Sequence, residues 1–308
     1  MNGAEPRLYG GQAVLEGVMM RGRRFMAVAV RAPSGEIVVR GEPLAGRAYT
    51  ARWARWPLVR GVVLLWEQLA LGTRSLVFSA NVALAESADA ARQVDLPARA
   101  LWGTILVALA GATALFFVVP VLAMAYLDRF LGSAVLSNLV EKGLRLGLVL
   151  GYIGGIGLVP DIRRVFQYHG AEHKTINAYE AGAPLTVASV RAFPLEHPRC
   201  GTTFLLLVVL VSFLLFTLLG QPPLVERILS RVLLIPVVAG LAYEFIRWAA
   251  RQYHRPLVRT VLAPGLLVQR LTTREPDDAQ IAVAIAALRA VLAAEEPEAL
   301  RRTAATVS

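Results

Sequence analysis

Four long segments that are nearly free of charged side chains constrain this sequence more than any other feature. They cover residues 102–127, 144–160, 204–220 and 232–250. A helix needs about 20 consecutive, mainly apolar residues to cross the hydrocarbon core of a bilayer. The sequence therefore predicts a mainly α-helical protein, built as a polytopic membrane bundle of about four spans.

The composition agrees with a membrane protein. Apolar residues make up 56% of the 308 residues and charged residues 18%, whereas about a quarter of residues are charged in soluble domains. The net charge of +10 fits cytoplasmic loops beside anionic lipid. No nucleic-acid-binding motif accompanies it, so we expect no nucleic acid partner. Because Cys200 is the single cysteine, an intrachain disulfide is excluded.

The distribution of Lys and Arg predicts the orientation, because cytoplasmic loops carry the excess of these residues. Thirteen precede the first apolar segment, five lie between residues 161 and 203, and eight follow residue 250. The two remaining loops carry fewer. We therefore expect a multi-pass protein of a bacterial inner membrane, with both termini and the loop 161–203 in the cytoplasm.

Four regions follow from this pattern. They are an N-terminal cytoplasmic, β-containing region (1–56), an amphipathic helical segment (57–101), the transmembrane bundle with its cytoplasmic histidine loop (102–250, loop 161–203) and a C-terminal cytoplasmic helical tail (251–308). In the first region, the Pro-Ser-Gly sequence at 33–35 separates two strand-like runs and predicts a small hairpin. In the tail, aliphatic residues at helical spacing between 281 and 292 predict an amphipathic packing helix.

The segment 57–85 carries one polar stripe. Arg60, Glu67, Arg74 and Asn81 recur every seven residues on an otherwise apolar helix. Such a helix lies in the membrane interface or packs against the bundle. A full span is disfavoured, because three charges would enter the hydrocarbon at a few kcal/mol each.

The pattern with the clearest chemical meaning is His169-Gly-Ala-Glu172-His173. On a helix, the two histidines lie one turn apart on the same face, where neutral imidazoles can bind one divalent ion. The order His-x-x-Glu-His is that of the inverted zincins, in which Glu172 would accept a proton from zinc-bound water. The pattern requires a helix over 163–181, which Gly182 would end. Alternatively, both histidines are interfacial residues hydrogen-bonded to backbone or lipid.

Two histidines need further ligands to form a metal site. His197 and Cys200 are the nearest candidates, and Glu244 is another, because a carboxylate inside an apolar segment is costly. Both His197 and Cys200 together would close a four-ligand structural site, whereas three ligands leave the open position of a catalytic one. Alternatively, Cys200 is a small buried residue and Glu244 pairs with Arg247. Glu180 lies too far along the helix to share the ion, but could hold a ligand histidine.

A second dense segment, residues 9–22, is rich in glycine. Its glycines would let the backbone approach a phosphate or carboxylate, with Arg21 as the counter-charge. The segment lacks the Lys-Ser/Thr end of a P-loop, so a tight turn entering a strand is the favoured interpretation. Glu16 becomes a site residue only if this segment meets the histidine loop.

Several motifs together resemble the YqhQ-like bacterial membrane family. They are the segment 10–22, Tyr-His-Gly-Ala-Glu-His-Lys-Thr at 168–175, His-Pro-Arg-Cys-Gly-Thr at 197–202 and Leu-Thr-Thr-Arg-Glu-Pro at 271–276. The resemblance spans nearly the whole chain, and the motifs are long enough to be specific. It implies a metal-dependent activity, because the family is described as predicted metal-dependent enzymes of unknown function, and it implies no particular substrate.

Two hypotheses follow. In the first, the protein is a membrane-embedded, metal-dependent hydrolase of a peptide or lipid-linked substrate. Its metal would be zinc, with Glu172 as general base and Arg199 or Lys174 binding an anionic group. In the second, the metal is structural and the protein is a non-enzymatic scaffold or a partner of another membrane system. Haem binding by His169 is disfavoured, since no other predicted span contains a histidine. The lipid bilayer is the expected partner, and the sequence allows a homo-oligomer without predicting one.

Overall fold

The computed structural model describes residues 9–44, 56–84, 103, 106–108, 110–112, 114–218, 224–253 and 255–295. The chain divides into two units, one formed by residues 1–92 together with 164–308 and the other by residues 93–163. The protein is mainly helical and has a small antiparallel sheet near its N-terminus. At that level the predicted fold class is confirmed.

The sheet belongs to the first unit and is a simple meander. Its strands are β1 (Gly10–Val14), β2 (Gly17–Arg21), β3 (Phe25–Arg31) and β4 (Ile37–Pro43), hydrogen-bonded in that order. The hairpin predicted around residues 33–35 is β3–β4, and Gly35 adopts the positive φ of 88° that its turn requires. The glycine-rich segment forms the hairpin β1–β2, of which the sequence predicted only a tight turn and the entry to a strand.

Helices make up most of the remaining described chain. In chain order they are α1 (Val59–Leu84), α2 (Val119–Leu127, preceded by the π-helical turn Ala114–Val118), α3 (Ala134–Ile156), α4 (Pro160–Glu180), α5 (Val187–Arg191), α6 (Gly201–Leu218), α7 (Leu224–Arg251), α8 (Pro256–Thr272) and α9 (Asp278–Glu295). The second unit contains α2 and α3, and the first contains α1 and α5 to α9 with most of α4.

The C-terminal helix α9 packs on β2 and β3, as the spacing of its aliphatic residues predicted. Ile281, Ile285 and Leu288 are buried there in one cluster with Tyr168 and Ile176 of α4. The sheet, α9 and α4 therefore share a single core, and α4 is the element that carries the predicted histidines.

The start of α9 is a capping box. The backbone N–H of Gln280 donates to the Asp277 carboxylate at 2.7 Å, and the backbone N–H of Asp277 donates to the Gln280 side chain at 2.9 Å. Both groups would otherwise be among the unpaired donors at a helix start.

The predicted spans are supported only in part. Within the described residues, Leu233–Arg251 of α7 is long and apolar enough to cross a membrane, and a second span exists if Leu139–Ile156 and Pro160–Glu180 are joined across their bend. Leu106–Phe116 and Gly201–Ser212 are apolar but shorter. Residue 102 and residues 219–220, at the limits of two predicted spans, lie outside the described residues. Four spans therefore stay a prediction.

Replacing Asp277 with alanine should destabilise the protein, because the change removes the acceptor that caps α9. We expect a loss of about 1 kcal/mol in the free energy of unfolding, measured by circular dichroism during heating of the detergent-purified protein. Asp277→Asn is the control, since asparagine caps a helix as well as aspartate does. An alanine variant that unfolds at the wild-type temperature would contradict the capping role.

Candidate functional site

The helix predicted around the histidines is α4, and Gly182 ends it as predicted. Gly182 adopts a φ of 70°, and the N–H of Ala183 donates to the carbonyl of Ala178 at 2.9 Å. This is the Schellman arrangement that commonly ends a helix at a glycine.

Gly170, the weak point of the helix by propensity, has a packing role. A Cβ atom at this position would overlap the carbonyl oxygen of Arg274 and lie 2.8 Å from the Leu195 side chain. Only glycine lets both segments approach α4 this closely. The same two segments supply hydrogen-bond acceptors to the histidines.

The two histidine rings of α4 are in contact, with centroids 4.4 Å apart. Nδ1 of His169 lies 2.9 Å from the carbonyl oxygen of Thr272, and Nδ1 of His173 lies 2.5 Å from that of Leu195. A carbonyl only accepts, so each Nδ1 carries a proton, and in the neutral ring Nε2 then keeps its lone pair. This tautomer, held by a backbone carbonyl, is the usual state of a histidine that binds a metal through Nε2.

Cys200 supplies a third donor atom. Its Sγ lies 3.3 Å from Nε2 of His169, and the ligand atoms of His169, His173 and Cys200 all lie within 4.8 Å of one another. Two atoms that share a tetrahedral zinc ion are about 3.5 Å apart. The three donors are therefore close enough to bind one ion after small adjustments.

The pKa values of two cluster members are shifted in the direction of the forms that bind metals. Burial raises the pKa of the Cys200 thiol. The hydrogen bond and charge of His173 and the hydrogen bond from the Thr202 N–H act in the opposite direction and are stronger together, so the pKa is lowered. Burial lowers the pKa of His173, because desolvation disfavours the imidazolium. A thiolate and a neutral imidazole are the forms that ligate.

Glu172 lies beside this cluster and is only 5% exposed. The backbone N–H of Gly11 in β1 donates to its carboxylate, while its Oε2 is buried without a hydrogen-bond partner. Burial raises the pKa of Glu172 to about 8, although the charge of His169 and the Gly11 bond act in the opposite direction. A buried, half-satisfied carboxylate is costly, and a cation in the cluster would stabilise its charged form.

The hairpin β1–β2 meets the histidine helix, which is the condition set for Glu16. The Glu16 carboxylate accepts hydrogen bonds from Nε and Nη2 of Arg164 at 2.5 and 2.6 Å and from the Tyr168 hydroxyl at 3.2 Å. Glu16 also has a φ of 50°, which is strained for a residue with a side chain. The contacts of Arg164 and Tyr168 with Glu16 were not predicted from the sequence, because a local pattern does not identify partners about 150 residues away in the chain.

His197 is anchored close to the cluster but is not a member of it. Its backbone N–H donates to Gln269 at 3.0 Å, and its carbonyl accepts from Gln269 at 2.8 Å. Its ring centroid is 5.6 Å from that of His173, and its Nε2 lies 3.6 Å from Oε2 of Glu180. The expectation that Glu180 contacts a histidine is confirmed. The convergent donor group of the described residues thus has three members without His197.

Glu244 is not brought to the histidines. Its carboxylate accepts hydrogen bonds from the guanidinium of Arg60 in α1, at 2.6 Å for Nε. The predicted ligand role therefore has no support in the geometry, and the bond that was expected with Arg247 is made with α1 instead.

The two residues predicted to bind an anionic group both have protein partners. The Lys174 ammonium donates to the carbonyls of Arg191 and Phe193, each at 2.9 Å, and pairs with Glu275 at 2.7 Å. The Arg199 guanidinium pairs with Glu180. The side chain of Lys174 is 6% exposed and that of Arg199 is 23% exposed, so Arg199 is the more accessible of the two.

Comparison with known proteins gives a family without an assigned activity. Residues 56–294 match the family model described as "Protein of unknown function (DUF1385)". The chain is 36% identical over 299 residues to the "Uncharacterized protein YqhQ" of Bacillus subtilis (strain 168), and the alignment covers 94% of each chain. No solved structure matches.

Replacing Gly170 with alanine should destabilise the protein, although alanine is the better helix former by about 1 kcal/mol. The added methyl group would collide with the Arg274 carbonyl, and such overpacking typically costs about 1–3 kcal/mol. The measurement is the thermal unfolding temperature in detergent. Gly143→Ala in α3 is the matched control, since a Cβ there meets no atom within 4 Å. A Gly170→Ala variant as stable as the control variant would refute the close approach.

Proposed function

For this chain, which belongs to the DUF1385 family of proteins of unknown function, we propose that His169, His173 and Cys200 bind a divalent metal ion, zinc by the chemistry of its donors, and that the protein is a membrane-embedded hydrolase. The observation that carries the proposal is the convergence of three donor atoms beside the buried carboxylate of Glu172, one oxygen of which has no partner.

The three donor atoms are of the types that bind zinc, and hydrogen bonds already orient their side chains. Zinc accepts imidazole nitrogen and thiolate sulfur in tetrahedral sites. Both imidazoles are oriented by backbone carbonyls, and the thiol is at the start of a helix, where it accepts a hydrogen bond from the Thr202 N–H. Such outer partners orient ligands and hold them in the binding state.

The number of donors favours a catalytic role over a structural one. Structural zinc sites are closed by four protein ligands, whereas catalytic sites have three and leave one position open. His197 would be the fourth ligand of a closed site, but it lies outside the three-donor group; its Nε2 is 3.6 Å from Oε2 of Glu180 and makes no hydrogen bond. A carboxylate beside a three-donor group is the arrangement expected for hydrolysis.

A metal ion bound by these donors would act as a Lewis acid on a water molecule or on a substrate carbonyl oxygen. Glu172 would accept a proton from the attacking water, and a pKa that starts at about 8 and falls beside a cation would lie near the working pH. The water oxygen forms a bond to the acyl carbon, the bond to the leaving group breaks, and Glu172 returns its proton to the leaving group. Water is the single co-reactant.

The proposed substrate is a peptide or a lipid-linked molecule at the cytoplasmic surface of the inner membrane. The apolar helix α7 supports a membrane location, and so do exposed leucines on α6 and α7, among them Leu210, Leu214 and Leu233. Four spans with both termini in the cytoplasm remain part of this proposal, on the distribution of Lys and Arg. The accessible Arg199 is the better candidate to bind an anionic group of the substrate.

A non-enzymatic role is the second candidate. A metal bound by His169, His173 and Cys200 would tie α4 to the start of α6, and His197 is held next to both by Gln269. The protein would then be a scaffold whose metal stabilises the cytoplasmic face. The two candidates differ in whether Glu172 matters after the metal has bound.

The purified full-length protein should bind about one zinc ion per chain, measured by elemental analysis after dialysis. His169→Ala, His173→Ala and Cys200→Ser should each weaken binding by more than the roughly 10–100-fold that loss of an outer partner costs. Cobalt should produce a thiolate charge-transfer band that Cys200→Ser abolishes. His197→Ala is the matched control and should keep the metal. Equal metal loss in that variant would indicate a closed four-ligand site, and a metal-free wild type would refute the centre.

Glu172→Gln should keep the zinc and lower hydrolytic turnover by roughly 10²–10⁴-fold, the usual contribution of a general base. Turnover would be measured with fluorogenic peptides and with p-nitrophenyl acyl esters. Glu196→Gln serves as the control, because Glu196 pairs with Arg270 outside the cluster. Full turnover in the Glu172 variant would exclude the base role and favour the structural alternative.

A further inference from the structure

The helix α1 has its polar stripe turned toward the rest of the first unit. Arg60 pairs with Glu244 of α7, Glu67 with Arg21 of β2 at 2.7 Å, and Arg74 with Glu42 of β4 at 3.5 Å. The side chains of Glu67 and Arg21 are 11% and 12% exposed, so this pair is largely shielded from water. Three of the four stripe residues are thus neutralised by internal partners.

Small residues let the same side of α1 pack closely. A Cβ at Gly61 would lie 2.8 Å from Cβ of Tyr243 in α7, and one at Gly240 would lie 2.8 Å from the carbonyl oxygen of Leu58. Farther along, Ser75 and Ser79 are buried and satisfy their hydroxyl groups on backbone carbonyls of α1 itself. The inner side of α1 is therefore formed by glycine, serine and paired charges, together with Leu71 and Val82, which join an apolar cluster of the sheet.

The outer side of α1 is apolar. Trp66 is 74% exposed, Leu69 60% and Leu76 42%. At 3.6 residues per turn these three side chains lie close together on the side away from the polar stripe. In a water-soluble protein the exposed side of such a helix is charged or polar, so an outer face with these three large apolar side chains needs an apolar surrounding.

We infer that this outer face of α1, defined by Trp66, Leu69 and Leu76, lies against the acyl chains of the lipid bilayer. Lipid is favoured because α1 begins against the part of α7 that is long and apolar enough to cross a membrane: Gly61 meets Tyr243, and Arg60 meets Glu244. A helix packed on a membrane segment, with its apolar side outward, continues the same apolar surface.

The charges on α1 agree with a bilayer surface. Arg74 is the most exposed member of the polar stripe, with 71% of its side chain accessible, so its guanidinium is open to anionic headgroups as well as to Glu42. The inference rests on the membrane location proposed above and is independent of the metal chemistry. It assigns α1 the role of a lipid-contacting helix that carries the sheet on its polar side.

Tryptophan quenching tests the inference in the full-length protein. The protein is reconstituted into phosphatidylcholine–phosphatidylglycerol vesicles, with or without bromine on the acyl chains, and acrylamide is used as a quencher from the water. The emission of wild type minus that of Trp66→Phe reports Trp66 alone. We expect this difference emission to be blue-shifted, at least halved by brominated lipid and little affected by acrylamide.

Trp248→Phe, on α7, is the matched control. If Trp248 is quenched by brominated lipid and Trp66 is not, the inference about α1 is overturned while the membrane location stands. If neither is quenched by lipid, both fail. A Trp66 shielded from both quenchers would indicate a protein partner, such as a second copy, and would also overturn the inference.

A second pair of variants, each measured with and without Trp66→Phe, tests the same face at another position. Leu69→Glu places a charge on the outer face and should reduce the quenching of Trp66 by brominated lipid by about half or more. Val39→Glu, at an exposed position of β4, should leave it unchanged. Unaltered quenching in the Leu69→Glu protein would contradict a lipid contact of this face.

Discussion

The close packing of neighbouring segments on α4 at Gly170 is the constraint on which the rest of the site depends. Because no side chain projects there, the Leu195 segment and the chain around Arg274 reach the helix. Their approach brings carbonyl oxygens to both histidine rings, which places the protons on Nδ1 and leaves both Nε2 atoms free to bind. The orientation of the two proposed metal ligands therefore depends on the absence of a side chain at Gly170.

Polar groups are placed by one physical rule in two parts of the molecule. Low-polarity surroundings make an unpaired charge costly and a paired one strong. Along α1, the charges are paired with partners on β2, β4 and α7. At the cluster, one oxygen of Glu172 is buried without such a partner. Because this oxygen lies beside the three donor atoms, the site is suited to a cation or a proton.

Elements with strong local signals could be predicted from the sequence. The hairpin β3–β4 was predicted from its turn residues, the end of α4 from Gly182, and the packing face of α9 from the spacing of its aliphatic residues. The hairpin β1–β2 was predicted only in part, because its glycines favoured a tight turn entering a strand but did not reveal the second strand of the pair. The membrane spans were read from apolar length, and one stretch, Leu233–Arg251, meets that criterion by itself in the described chain.

The sequence by itself determined that two histidines and a glutamate lie on one helix, since i and i+4 residues share a face whatever the helix packs against. Only the tertiary structure decided which distant residues join them. It selected Cys200 from the candidate ligands, paired Glu244 with Arg60, and brought Gly11 and Glu16 to α4. Helix periodicity is a local property of the backbone, whereas these contacts depend on how separate elements pack, and single-residue patterns do not encode that packing.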